Sequence, residues 1–473
     1  MKNILLYLVF VGMLAGCSSL VEGLNEDPNN PTTTSYQYIL TGAEVGNVIL
    51  QTGEAARKAG IFCGYYTGID RQHLGFSQYA VTTSDFDAQW NDVYVKSVVN
   101  ALATEQAAEE EGIGEVTKGI TQTLRAMALG TATSLWGDIP FKEAGIPELE
   151  NPIFEGQVAV YAQLQTLLDE AIANLQTGTG RPAANADIHF NGNPAAWLQV
   201  AYTLKARYYL HTKAYADAYA AAQQGISSGS NSLMAPHGTA DDNANLTFQF
   251  FAVEVRQSDL VTSPFMASLV APDAATSPDL TRYRGNAKTN ETGRYNFLFK
   301  IREFGTQPNV VDGLAAKSAS APMVTYAENL LILAEAGFRS AGFNTGLGHL
   351  NDYRAYLAGG GYMTNANPAD LQYDAYVAAD FDNGGLENAD GLSPNDALLR
   401  EILEERYVTF FGQIEGFNDT RRTEKESSVR VPVAPNTGSQ LPQRFLYPTT
   451  EIDRNVNVPN PVPNFFDPTQ VNQ

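Results

Sequence analysis

Apolar residues recur every three to four positions through most of the chain, a spacing that predicts amphipathic helices rather than strands. Residues 36–60, 86–110, 115–135 and 157–175 all follow it. In 86–110, Trp90, Val93, Tyr94 and Ser97 share one face; in 157–175 the stripe is Val160, Leu164, Leu167, Leu168, Ala171 and Leu175. The plainest case begins at Asn193, a capping residue, with Pro194 at the first helical position, where a missing N–H costs nothing. Trp197, Val200, Ala201, Leu204 and Tyr208 run down its inner face, and a second helix, Tyr215 to Gly225, folds back after a short turn. Tyr202, Ala206, Tyr209, Tyr215 and Ala218 fit a tetratricopeptide-like hairpin, with the alanines where two helices must approach closely. Leu330, Ala334, Gly337, Phe343 and Gly346 repeat those offsets in 326–354. Helices 115–135 and 157–175 form a third unit, split by an insertion at 136–156. Such units cannot bury their faces alone and are expected to stack. Ser393-Pro394-Asn395-Asp396 opens a further helix through Phe411, with Leu399, Ile402, Leu403, Tyr407 and Phe410 inward.

The pattern breaks at both ends and in two long excursions. Residues 227–320, rich in Ser, Asn, Asp, Pro and Gly, predict loops laid over the helical body, with short strands at Leu246–Phe251 and Tyr295–Ile301. Loops this long are uncommon unless they serve a function. Residues 360–392 are a second polar excursion, and the Pro- and Asn-rich C-terminus is expected to wrap the surface. The apolar run Ile4–Leu14 is far short of the ~20 residues that span a bilayer. With Lys2 before it and Leu14-Ala15-Gly16-Cys17 after it, it predicts a bacterial lipoprotein signal over 1–16, cleaved before an acylated Cys17. Residues 17–34 then form a lipidated flexible tether, and 35–473 a single helical domain carrying the 227–320 insertion.

Composition narrows the function. With 52 acidic against 30 basic residues the net charge is −22, which repels phosphate backbones and argues against nucleic acid. Of the two cysteines, Cys17 goes to lipid, so no intrachain disulfide forms, and Cys63 is expected as a small buried residue. The five histidines are scattered without metal-ligand spacing. The GxSxG string at Gly225–Gly229 follows a helix instead of a strand, so it is a helix end and not a nucleophile elbow. Asp380, Asp382, Asn383 and Asp390 fail the EF-hand pattern at Gly384 and Gly391, leaving room only for a loose structural calcium ion. Asp138 in the Leu135–Phe141 turn has a structural use. Glu404, Glu405, Arg406, Asp419, Arg421 and Arg422 are expected to form ion pairs that pin the C-terminal segment. No stretch points to the facing carboxylates of a glycosidase, and no catalytic residue, metal site or cofactor is assigned.

Aromatic residues are the better lead. Tyr65, Tyr66, Phe76 and Tyr79 share one loop with Arg71, Gln72 and His73. Flat rings bind the apolar faces of sugars while Arg, Gln and His reach hydroxyls; the same equipment suits peptides, and such rings equally serve to plug a loop onto a core. Tyr283, beside Arg282 and Arg284, is a weaker candidate, as is Tyr295 beside Arg294.

Six stretches in this order give the chain a resemblance. They are the Leu14–Cys17 lipobox with its Asn/Pro tether, LWGDIPF (135–141), NPAAWLQVAYTLKARYYLHT (193–212), PMVTYAENLLILAEAGFR (322–339), EILEERYVTFFGQIEGFNDTRRT (401–423) and RFLYPTTEIDRNVN (444–457). Together they resemble the SusD/RagB family of surface lipoproteins, and within it the starch-binding-associated branch. The resemblance implies an all-α SusD-like fold with four tetratricopeptide-like hairpins, loop-rich insertions and minor β structure. It also implies an outer-membrane protein facing the cell exterior, membrane-bound through its lipid alone. In that family the lipoprotein captures an oligosaccharide, or sometimes a peptide, and delivers it to a SusC-like TonB-dependent transporter without covalent chemistry. A RagB-like peptide capturer and a surface glycoside hydrolase remain as alternatives. Ligand residues do not transfer by position, so Tyr65, Tyr66, Arg71, His73, Phe76, Tyr79 and Tyr283 stand on their own chemistry.

Overall fold

The computed structural model describes residues 34–146, 149–277 and 280–473. The expected leader, Cys17 and the tether up to Thr33 lie outside the described residues. Helices dominate: α1 (Tyr36–Thr52), α2 (Glu54–Phe62), α3 (Val99–Glu110), α4 (Glu115–Trp136), α5 (Gln157–Gln176), α6 (Pro194–His211), α7 (Tyr215–Ala222), α8 (Tyr326–Ala341), α9 (Phe343–Ala358), α10 (Pro394–Thr409) and α11 (Glu415–Arg422). The single helix expected over 36–60 is two, because Gly53 leaves helical space at φ −93°, ψ −138°. The run from Asp87 reaches α3 through a π-helical stretch, Asp92–Val98, yet Trp90, Val93 and Ser97 still face inward.

Four helical pairs stack among the described residues. They are α1 with α3 and its π-helical lead-in, α4 with α5, α6 with α7, and α8 with α9. Each pair leans on the next, α4 against α3, α6 against α5, α8 against α7, and α10 closes the stack on α8. The first pair was the least visible in sequence, since its two helices are separated by the aromatic loop. Its close approach depends on Gly46, where a Cβ would stand 2.2 Å from the Lys96 carbonyl oxygen. The caps form as expected: Asn193 accepts from the Ala195 N–H, Ser393 from Asp396, and Thr325 and Glu328 make a reciprocal capping box.

The excursions carry the small amount of β structure, five two-stranded antiparallel ladders among the described residues. Tyr66–Gly68 pairs with Leu260–Thr262, Phe299–Arg302 with Gly305–Pro308, and Leu233–Ala235 with Ala321–Val324. Two strand expectations need correction. Leu246–Phe251 is helical, because the Asn245 side chain accepts from the Thr247 and Phe248 N–H groups and starts a turn against the β preference of the run. Tyr295–Ile301 divides into the end of a short helix, Thr292–Leu298, and a strand from Phe299.

Motifs far apart in sequence meet in the core. The Trp136 indole donates to the Leu446 carbonyl at 2.8 Å, the Phe445 N–H to Leu135 at 2.8 Å, and the Tyr447 hydroxyl to Asp138 O at 2.7 Å. Asp138 Oδ1 in turn accepts from the first N–H of α5 at 2.9 Å, the structural use expected of it. The charges on α10 and α11 form ion pairs as expected, and the structure buries them. Glu335 of α8 lies 2.5 Å from Arg422 and 3.3 Å from Arg406, and Asp419 bridges both arginines at 2.8 Å. Arg421 differs from its neighbours by donating to the Ser134 and Gln443 carbonyls, and burial brings its pKa down to about 10.

Candidate ligand-binding cleft

The expected aromatic loop turns its rings inward. Tyr65, Tyr66, His73 and Phe76 are buried, so none offers a free face to a ligand. Tyr65 donates its hydroxyl to the Tyr407 carbonyl at 2.7 Å. His73 sits edge-on to Phe76 and Phe250, where burial and then Arg57 push its imidazole down to about 4, so it stays neutral 3.4 Å from Asp259. Arg71 is exposed but ion-paired, its Nε 2.7 Å from Asp259 Oδ1. Tyr79 is half-buried among Phe62, Phe465 and Phe466, and its hydroxyl accepts the Asn436 N–H. The physical reason is geometric: Tyr66 enters a ladder with Thr262, which fixes the loop against the body and points the rings into it.

The structure gathers a different set of aromatics around a cleft of ≈ 470 Å³. Its floor is backed by Phe411 and Phe297, both buried like the loop rings, so the ring faces open to a ligand are those of Tyr356 and Tyr362. One wall is the end of α9 and the loop after it, with Tyr356 and Tyr362; the opposite wall is the segment 314–322. Thr325, at the start of α8, Gln413, just after α10, and Ser232 and Met234 also line it. Each ring is held from behind. Tyr326 meets Tyr356 edge-on at 5.1 Å, Tyr362 rests 5.9 Å from Phe297, and Phe411 packs on Phe299 at 4.9 Å. Tyr65 and Tyr66 stand behind Phe411 at 5.5 and 5.1 Å, so the loop chosen from sequence supports the cleft floor from inside. Burial, then Tyr362 and Tyr326, lift the Tyr356 phenol to about 12. The cleft lies within the ~300–1,000 Å³ range of small-molecule sites.

Among the described residues, nothing in the lining is an Asp, Glu, Lys, Arg or His. The hydroxyls of Ser318, Ser320 and Thr364 at the rim make no hydrogen bond among the described residues. Rings with open hydroxyls beside them can stack on and hydrogen-bond a polyhydroxylated ligand; they hold no acid/base pair. The sequence signal for this site was the run Gly359-Gly360-Gly361-Tyr362 at a helix end, read only as part of a polar excursion.

Tyr283 lies at a second cleft of ≈ 330 Å³, among Arg282, Arg284, Arg400, Glu401 and Glu404. Two of the acids considered for calcium have protein partners. Asp380 accepts the Val377 N–H and pairs with Lys288, and Asp390 pairs with Arg400. Among the described residues no group of three or more His, Cys, Asp or Glu is placed to hold a metal ion.

Residues 28–448 match the SusD-like family described as "Starch-binding associating with outer membrane". None of the curated proteins matches the chain. Among solved structures, a SusD/RagB family protein of Bacteroides thetaiotaomicron superposes with a TM-score of 0.70 at 18% identity, covering 93% of this chain and 99% of that one. A chitin-binding SusD homologue from Flavobacterium johnsoniae gives 0.65 at 17% identity over 93% and 97%. A SusD homologue of Bacteroides fragilis gives 0.63 at 17% identity over 93% and 100%. At these identities the likeness shows the fold.

Proposed function

Because the chain belongs to the SusD-like family of starch-binding-associated outer-membrane proteins, we propose that it captures an oligosaccharide at the cell surface and delivers it, unconverted, to a SusC-like TonB-dependent transporter. The family match over residues 28–448 carries this reading. The Tyr356–Tyr362 cleft supplies the place, with ring faces for sugar C–H surfaces and hydroxyls at the rim. Hydrolysis by a glycosidase needs two facing carboxylates, and this lining has none, which favours capture over turnover. Anchoring falls to lipid on Cys17; no helix among the described residues is long and apolar enough to cross a membrane.

The test is calorimetry on the full-length protein in detergent micelles against a panel of oligosaccharides and oligopeptides, with each mixture analysed afterwards by chromatography. Saturable binding with intact sugar is the expected result. Release of shorter products would overturn the non-catalytic reading, and binding confined to peptides would replace sugar capture with peptide capture.

A further inference from the structure

Resting on the capture reading above, we propose that the Tyr356–Tyr362 cleft takes an uncharged oligosaccharide and excludes acidic sugars and charged peptides. The chain carries 52 acidic and 30 basic side chains, yet none of those among the described residues lines this cleft. Two charged side chains next to lining residues in the chain or behind them, Arg207 and Lys317, are both ion-paired. Arg207, behind the strand Ala321–Val324, donates to the Met323 carbonyl at 2.8 Å and pairs with Glu328 at 2.5 Å. Lys317, next to the Ser318–Ser320 rim, pairs with Asp241 at 2.6 Å and lies over the Phe248 ring. A uronate carboxylate or a peptide ammonium in the cleft would therefore lose water and meet no opposite charge in the lining, which is costly. The net charge of −22 opposes anions at long range and attracts cations, so the comparison with trilysine is made at ~0.15 M salt, where exposed charges are screened beyond about 8 Å.

A neutral sugar meets no such penalty. Its hydroxyls both donate and accept, and so do those of Ser318, Ser320, Thr364 and Tyr356. Its C–H faces fit the tyrosine rings, and the ≈ 470 Å³ of the cleft suits a short oligosaccharide. Specificity here comes from what the lining leaves out.

The experiment titrates the full-length protein in detergent micelles with maltotriose, cellotriose, chitotriose, trigalacturonate and trilysine. At least one neutral trisaccharide should bind, with trigalacturonate and trilysine weaker by about 100-fold or more. Tyr356→Ala should weaken the neutral ligand by about tenfold, as for an aromatic anchor. Ser320→Lys, at an exposed rim position, should raise trigalacturonate affinity while leaving the fold intact. Trigalacturonate or trilysine binding to the unaltered protein within tenfold of the neutral sugars would overturn the proposal and leave capture standing. So would neutral binding that neither substitution alters, since the ligand would then sit elsewhere. Failure of every probe to bind would overturn capture itself.

Discussion

Two of the clefts among the described loops are comparable in size and opposite in chemistry. Among the described residues, the one at Tyr356 and Tyr362 has no charged side chain in its lining; the one at Tyr283 has eight, four of each sign. In the second cleft the charges mainly face one another. Arg284 reaches Glu401 and Glu404 at 2.9 Å and Glu405 at 2.7 Å, Arg400 holds Asp390 at 2.7 Å, and Glu387 accepts from Tyr376 and Asn286. These bonds fasten the segments around 284 and 376–390 to α10. The difference teaches a division of labour: charge is spent inside the body to hold long loops in place, and the surface left for a ligand is neutral.

Breaking the fastening should have the largest effect. Glu405 lies 2.9 Å from Arg294 and 2.7 Å from Arg284, all buried. Glu405→Ala removes a carboxylate shared by both guanidinium groups, leaving Arg294 with Glu291 at 3.2 Å and Arg284 with Glu401 and Glu404, and should cost about 3 kcal/mol in chemical denaturation, the low end for breaking a buried pair. A loss below ~1 kcal/mol would refute the fastening role.

Acid should do the same reversibly while sparing the neutral cleft. Against the desolvation of burial, Arg294 and Arg284 hold the Glu405 carboxyl at about 2; Arg422 likewise pulls Glu335 down, and Arg207 and His211 pull Glu415 down. A carboxylate depressed in the folded state stabilises above its unfolded pKa of ~4.3, and that stability disappears as pH falls through the folded value. Melting temperature should therefore fall steeply between about pH 4.5 and pH 2, with Glu405 alone contributing on the order of 3 kcal/mol. Glu401 works in the opposite sense, because burial lifts its carboxyl despite Arg284, so its contribution is lost as pH rises through that lifted value. Sugar affinity, measured by calorimetry, should stay flat from about pH 5 to pH 9, since the lining has no carboxylate or imidazole and the Tyr356 phenol is at about 12. A titration of affinity within that range would place a charged group at the ligand.

Smaller changes sharpen the contrast. Tyr65→Phe removes the donor to the buried Tyr407 carbonyl and should cost about 1 kcal/mol of stability. If sugar binding vanished instead, with stability kept, the ring would be touching the ligand. Arg400→Ala breaks a pair whose Asp390 is 69% exposed, so at most about 1 kcal/mol should change, with sugar affinity unaltered.

Much of the scaffold was legible in the sequence because helical periodicity and caps are local. The 157–175 stripe, the Asn193-Pro194 start and the 326–354 hairpin all form where the pattern puts them. Charge clustering around α10 was also readable as an ion-pair network. The site was harder to read. An aromatic in a loop looks the same in sequence whether its ring meets solvent or core, and four of the chosen residues, Tyr65, Tyr66, His73 and Phe76, went to the core. The cleft residues Phe297, Tyr356, Tyr362 and Phe411 come from four separate stretches, each ordinary by itself.

The sequence by itself determined a stack of paired helices, the turns that end them and the family to which the six motifs belong, since these follow from spacing and capping within short windows. Which rings face outward was decided only by the tertiary structure. The ladder of Tyr66 with Thr262, the packing of Phe411 on Tyr65 and Tyr66, and the pairing of charges across 110 to 120 residues are long-range contacts. Burial is a property of what lies opposite a side chain, and what lies opposite is set by the fold as a whole.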